Sequence, residues 1–141
     1  MAWEMFYNDT VTIFNNYIDD NGEEAYNPTV LNKVNLVIVK SVNTVSSGNE
    51  EADTAKLFIM PSILESDAEY IKPIEYSKLD NADKPKYFTF NPGADFFIEG
   101  DLSTISDMTY NKAVKNYDHT FRVTNVDKYA DVMPHFEIGG K

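Results

Sequence analysis

Apolar and polar residues alternate over several stretches of this chain, and this pattern predicts strands. Residues 10–18 alternate β-branched with polar side chains, and residues 31–39 place Val34, Leu36 and Ile38 on one face. A period of two carried by β-branched residues is typical of half-buried strands. The opposite face of residues 31–39 is half apolar, so we expect burial on part of both sides.

The same pattern, bounded by turn residues, predicts the remaining strands. They are residues 23–26, 55–60, 87–90, 95–99, 120–126 and 132–138. Asp19-Asp20-Asn21-Gly22 is a hairpin turn, since Asn and Gly tolerate positive φ. It does not match a calcium loop, which requires Gly at its sixth and Glu at its twelfth position, because counted from Asp19 the Gly is fourth and the twelfth residue is Val30. Pro28 is expected to interrupt the ladder, and Pro134 favours an edge or the start of its strand, because proline has no N–H to donate.

One helix is predicted at residues 103–116, with Thr104 and Asp107 as an N-terminal capping box. Its apolar face follows the i, i+3, i+4, i+7 spacing and holds Tyr110, Ala113, Val114 and Tyr117. About seven strands to one helix predict a mainly β fold, a small β-barrel or sandwich with one α-helix and long loops.

The chain length fits a single domain over residues 1–141. Two long loops are predicted at residues 41–53 and 62–85, where polar residues and prolines replace the strand pattern. Residues 1–8 form a possible N-terminal arm. Large apolar side chains dominate interface hot spots, so the interface candidates of this arm are Trp3, Met5, Phe6 and Tyr7. The alternative is that these side chains close one end of the same domain.

Charge and composition exclude several function classes. The chain has 23 acidic and 12 basic residues, a formal charge of −11, which argues against a protein that grips nucleic acid. It has no cysteine, which excludes disulfides, thiolate metal sites and cysteine nucleophiles. No stretch is apolar over a membrane-spanning length, so we expect no membrane partner.

The residues that could carry catalysis are few. His119 and His135 each lack a second histidine at metal-ligand spacing, so we expect no metal site. Asp95, Glu99 and Asp101 share one face of the predicted strand and could form a carboxylate pair for hydrolysis. The favoured interpretation is a solvated polar face. No nucleotide-binding or nucleophile motif occurs, so we predict a structural protein, no enzyme and no cofactor.

Several segments resemble the head–tail joining proteins of tailed bacteriophages, the head-closure or stopper family. An opening strand, a D-x-x-G hairpin and a return strand carry the first part of the likeness: Thr10-Val11-Thr12-Ile13-Phe14, Asp19-Asp20-Asn21-Gly22-Glu23 and Tyr26. Three later segments carry the second part: residues 95–101, 121–126 and 135–138. Residues 88–93 and 134–138 are also similar to short phage minor capsid proteins of low-GC Gram-positive hosts.

This resemblance implies a β-barrel that self-associates into a ring beneath the portal, in the virion neck, after assembly in the host cytoplasm. The ring would retain packaged DNA, contact portal or adaptor and tail proteins, and let double-stranded DNA pass without sequence-specific binding. A loop from each subunit would project into the channel. The candidates for that loop are Ser46, Ser47, Gly48, Asn49, Glu50, Glu51 and Asp53. Because an acidic lumen repels phosphates, we expect the acids among them to face the channel.

Two alternatives remain open from the sequence. A tail terminator or tail-completion ring is also a small β-rich domain with one helix on a sheet, and the helix at residues 103–116 favours it. A ligand-binding β-sandwich for carbohydrate or peptide would need solvent-exposed aromatics around an acidic groove, such as Tyr70, Tyr76 and Tyr87.

Overall fold

The computed structural model describes residues 6–40, 53–105, 107–130 and 134–141. Its strands are β1 (Asp9–Ile18), β2 (Glu24–Val39), β3 (Thr54–Ile59), β4 (Glu69–Tyr70), β5 (Tyr87–Phe88), β6 (Phe96–Glu99), β7 (Thr120–Tyr129) and β8 (His135–Gly140). Two short α-helices, α1 (Pro73–Ser77) and α2 (Tyr110–Asn116), and a 3-10 turn at Lys84–Lys86 lie between them.

Six strands close into a barrel in the order β1-β2-β3-β8-β7-β6, and every neighbouring pair is antiparallel. Closure removes exposed sheet edges along the paired stretches. β4 and β5 form a separate two-stranded parallel sheet. The predicted mainly β fold is confirmed, and of the two predicted architectures the barrel is the one that forms.

Strand β2 is longer than the sequence indicated and belongs to two walls of the barrel. Its first part pairs with β1, and its last part, from Asn35, pairs with β3. Between them a bulge at Lys33, with φ of 58°, bends the strand. The predicted interruption at Pro28 was wrong: Pro28 pairs with Phe14 inside the strand. This stretch of β2 has a strand neighbour on one side only, where a missing N–H is tolerated.

Strand β6 is buried on both faces and separates two clusters of apolar side chains. Phe97 points into the barrel interior, together with most of the inward residues of the other strands. Phe96 and Ile98 point the other way, where Phe96 stacks on Phe14 with ring centroids 4.8 Å apart and α2 supplies Ala113. α2 therefore covers the outer face of β1 and β6.

The predicted helix was correct only in its C-terminal half. α2 begins at Tyr110, and its N-cap is Thr109, whose side chain accepts a hydrogen bond from Lys112 N. The predicted capping box was wrong, since Asp107 has φ of 59°, a left-handed conformation that cannot continue a helix. On the helix itself Ala113 is buried, whereas Val114 is exposed.

The predicted burial on both faces of residues 31–39 was also wrong. Leu36 and Ile38 pack against the barrel core, but Val37 and Val39 on the opposite face are 43% and 57% exposed. The predicted loop at residues 62–85 holds β4 and α1, so part of it is regular. Pro134 lies directly before β8, as its missing donor requires.

Candidate functional site

A polar cleft of about 400 Å³ lies outside the barrel, between the end of β1, helix α1 and the turn that precedes β6. Its lining includes Asn16, Tyr76, Asn81, Lys84 and Asp95. Buried ionisable groups in a concave site are the usual starting point in a search for function. The chemistry of this cleft therefore depends on what those groups contact.

Among the acids of the described residues, Asp95 has the most strongly shifted pKa, and the residue is only 1% exposed. Its Oδ1 accepts a hydrogen bond from Asn16 N at 2.8 Å, and its Oδ2 accepts from Asn15 Nδ2 at 2.8 Å and Asn91 N at 2.9 Å. Burial raises the pKa of Asp95 to about 6, although the three hydrogen bonds act to lower it. The expectation that Asp95 lies on a solvated face was wrong.

The chain positions Asp95 through a tight turn and an asparagine-rich strand. Asp95 N donates to Asn91 O at 3.1 Å, which closes the turn before β6. On β1, Asn15 Nδ2 donates both to the Asp95 carboxylate and to Thr89 O at 2.6 Å. The carboxylate thus ties β1 to the segment that leads into β6.

Tyr76 and Lys84 form the second part of the cleft. The Tyr76 hydroxyl accepts a hydrogen bond from Asn27 Nδ2 at 3.3 Å, and burial raises the pKa of Tyr76 to about 12. Lys84 Nζ donates to Leu79 O at 2.6 Å and to Asn81 Oδ1 at 3.2 Å. These bonds fasten the segment after α1. The cleft therefore brings together the carboxyl group of Asp95, the phenol of Tyr76 and the ammonium group of Lys84, each hydrogen-bonded to a neighbouring part of the chain.

The three acids that the sequence placed on one face do not act together. Glu99 and Asp101 are exposed, and Glu99 Oε1 lies 2.7 Å from His119 Nδ1. His135 Nε2 lies 3.1 Å from Glu137 Oε2, and its ring stacks on Tyr129. In the described ranges no group of three or more acidic or histidine residues could hold a metal ion.

The interface and channel candidates lie only partly within the described residues. Ser46, Ser47, Gly48, Asn49, Glu50, Glu51, Trp3 and Met5 lie outside them. Asp53 is half-buried immediately before β3. Phe6 is 58% exposed, whereas Tyr7 is buried. Burial, and next the charge of Glu137, raise the pKa of Tyr7, which places this residue near β8.

A second concavity has aromatic walls and was not found from the sequence. It has a volume of about 360 Å³, and Tyr70, Phe88 and Phe136 contribute to its lining. Acidic residues alternate with less polar ones over residues 64–70, and this alternation marks one wall of the pocket. The prediction of a loop at residues 62–85 overlooked that sign. The exposed aromatic platform expected for a carbohydrate-binding module is absent at Tyr76, which is 3% exposed.

The protein is a small closed antiparallel β-barrel with short helices on its outside and two concavities on its surface. Residues 6–141 match a family of unknown function, DUF6751, and the chain belongs to that family. No curated protein and no solved structure matches the chain. Among the described residues, no helix has the length and apolar character needed to cross a membrane.

Proposed function

We propose that this protein is a structural component of the head–tail junction of a tailed bacteriophage, where copies form a ring that extends the portal channel. In this role the ring retains DNA in the head and docks the tail, so the protein works in the virion after assembly in the host cytoplasm. The observation that carries the proposal is the closed six-stranded barrel. It is the fold that the resemblance of the strand and hairpin segments implies.

Exposed apolar side chains support assembly with other proteins. Val37 and Val39 project side by side from the outer face of β2, 43% and 57% exposed. Phe6 and Ile18 are 58% and 57% exposed at other points of the barrel. Single exposed apolar residues are ordinary, but a neighbouring pair on the outer face of one strand favours a contact surface. We assign this pair to the contact between ring subunits.

The net charge supports passage of DNA. A formal charge of −11 per subunit, repeated around a ring, gives a strongly negative field. Such a field repels phosphates and keeps a duplex mobile, whereas a lysine-rich channel would hold it. The proposal therefore includes an acidic lumen, with Asp53 among the acids that face it.

Helix α2 favours a second candidate function, a tail terminator or tail-completion ring. It lies across the outer face of β1 and β6, against Phe14, Phe96 and Ile98. A small β domain with one helix on its sheet is also what that class of ring uses. A third candidate function within the same virion is that of a minor capsid protein.

Electron microscopy and sedimentation velocity of the purified protein at high concentration test the proposal. We expect closed rings, twelvefold at the head-closure position and sixfold at the tail end. Val37→Asp should abolish the ring without unfolding the subunit, while Val114→Asp, at a position 52% exposed on α2, should leave it intact. A lone subunit at every concentration that also binds no portal or tail protein would refute the proposal.

A further inference from the structure

The aromatic concavity at the mouth of the barrel has the features of a preformed binding pocket. Its walls include Ile59 on β3, Phe88 on β5, Phe136 on β8 and also Phe90, and its volume is about 360 Å³. Phe88 and Phe90 are fully buried, with their rings packed edge to face at 5.8 Å. Pockets of this size with rigid apolar walls take a small ligand or one large side chain.

Residues 64–70 form one wall of the pocket and its rim, with a bend at residues 67–68. Leu64, Ser66, Ala68 and Tyr70 line the pocket. The segment is fixed at one end by the Asn32 and Glu65 backbone groups, which exchange hydrogen bonds of 2.9 and 3.1 Å. At its other end β4 pairs with β5. The wall is therefore held in place by backbone contacts rather than by an occupant.

The intervening residues place negative charge at the rim. Glu65, Asp67 and Glu69 are all exposed, but of the three Glu69 lines this pocket, whereas Asp67 lines a neighbouring concavity. Glu65 forms an ion pair with Lys33 at 3.1 Å, but Asp67 and Glu69 have no ion-pair partner within the part of the chain that the structure describes. Lys128 Nζ lies 5.7 Å from the centre of the Phe136 ring, and Phe136 lines the pocket. One side of the pocket mouth thus carries the carboxylate of Glu69.

We propose that this pocket binds a segment of a partner protein that inserts one aromatic or large aliphatic side chain and places a lysine or arginine against Glu69. The apolar walls select the anchor, as central pockets do in protein interfaces. The charged rim selects the residues next to the anchor, since complementary charges orient a basic partner and disfavour an acidic one. A small uncharged compound would leave the Glu69 carboxylate without a partner. The inference goes beyond the proposed ring and does not depend on it.

The test is a titration of the full chain with capped peptides, followed by NMR shifts of the Ala68 methyl group and the Tyr70 ring. Lys-Trp-Lys-Lys should bind with saturation and weaken in high salt, because the exposed charges are screened. Lys-Ala-Lys-Lys and Glu-Trp-Glu-Glu should each bind at least about tenfold more weakly, since each lacks one of the two recognised features. Equal binding of the three peptides would overturn the proposal, as would indole binding as tightly as the lysine–tryptophan peptide.

Two variants separate the rim from the walls. Glu69→Lys changes an exposed position and should weaken binding of Lys-Trp-Lys-Lys about tenfold or more, by reversing a rim charge. Asp80→Lys makes the same change on an exposed residue away from the pocket lining and should leave binding unchanged. Ala68→Phe should abolish binding by filling the pocket, with circular dichroism confirming the fold. Unaltered binding by Glu69→Lys would overturn the proposal. Sedimentation of the same variants reports ring formation separately.

Discussion

Replacing Asp95 by alanine removes one acceptor from three donors at once. The affected donors are Asn16 N, Asn91 N and Asn15 Nδ2, now at 2.8, 2.9 and 2.8 Å from the carboxylate. A buried polar group left without a partner costs about 1–3 kcal/mol. The cleft admits water, which satisfies part of the loss, so we expect Asp95→Ala to lower the free energy of unfolding by about 3–5 kcal/mol. That is a large part of the ~5–15 kcal/mol of an ordinary domain.

The same carboxyl group makes stability depend on pH. Burial raises the pKa of Asp95 from its ordinary value of 3.8 to about 6, so the folded protein binds the proton more tightly than the unfolded chain does. The resulting stabilisation is fully present below about pH 4 and is lost as the pH rises through about 6. This change of pKa corresponds to about 3 kcal/mol. Asp95→Asn removes the effect, because an amide does not titrate.

Urea unfolding followed by far-UV circular dichroism at pH values from 4 to 7 measures both effects. Comparison of wild type with Asp95→Asn cancels the titration of the other acids. The stability of wild type relative to Asp95→Asn should be about 2–3 kcal/mol greater at pH 4 than at pH 7. Asp80→Asn, which changes an exposed acid, is the control and should follow wild type. A difference that stays constant with pH, or a loss below about 1 kcal/mol in Asp95→Ala, would refute the reasoning.

Two further predictions concern the helix and the barrel wall. Thr109→Ala should lower the free energy of unfolding by about 0.5–2 kcal/mol, because it removes the N-cap of α2, while Thr104→Ala should have no such effect; equal losses in chemical denaturation would contradict the observed helix start. Gly140→Ala should destabilise by about 1–3 kcal/mol, since the added Cβ would lie 2.8 Å from the Phe121 Cβ, which cannot move without the sheet. Gly139→Ala meets the end of a flexible side chain instead, so a larger melting-temperature loss at Gly139 than at Gly140 would argue against this explanation.

Strand positions could be predicted from the sequence because the barrel has one apolar interior. β1 and β3 lie within one residue of the predicted bounds, and the hairpin turn at Gly22 is present, with φ of 79°. Inward residues recur with a period of two wherever the outer face meets solvent. Local pattern was sufficient for these elements, since their burial follows the alternation directly.

The errors arise where tertiary structure changes local rules. Pro28 was expected to end a strand, but a strand without a partner on one side accepts proline. The predicted helix began too early, because helical spacing at Tyr110 and Ala113 was extended backwards across residues that bend instead. Asp107 takes a left-handed conformation, which aspartate adopts more readily than most non-glycine residues, and the prediction of a capping box overlooked this.

The polar cleft was missed for a related reason. A period of two assigned Asp95 to the solvent face, yet the strand that follows is buried on both sides by the barrel core and by α2. Three consecutive apolar residues, Phe96, Phe97 and Ile98, are the sequence sign of such a strand. Asn91 lies within the same turn, but Asn15 lies 80 positions from Asp95, so no local pattern could join β1 to this carboxylate.

The position of β8 between β3 and β7 has a consequence for how the protein reaches its native state. The barrel cannot close until residues 135–140 have been synthesised and can pair with β3. Strand β1 likewise pairs with β6, far along the chain, where Phe14 lies opposite Phe96. Pairing between such distant parts of a chain slows folding into the range of milliseconds to seconds. During synthesis on the ribosome, the hairpin of β1 and β2 therefore emerges before the strands that cover its apolar face. Exposed apolar surface of this kind is what chaperones bind.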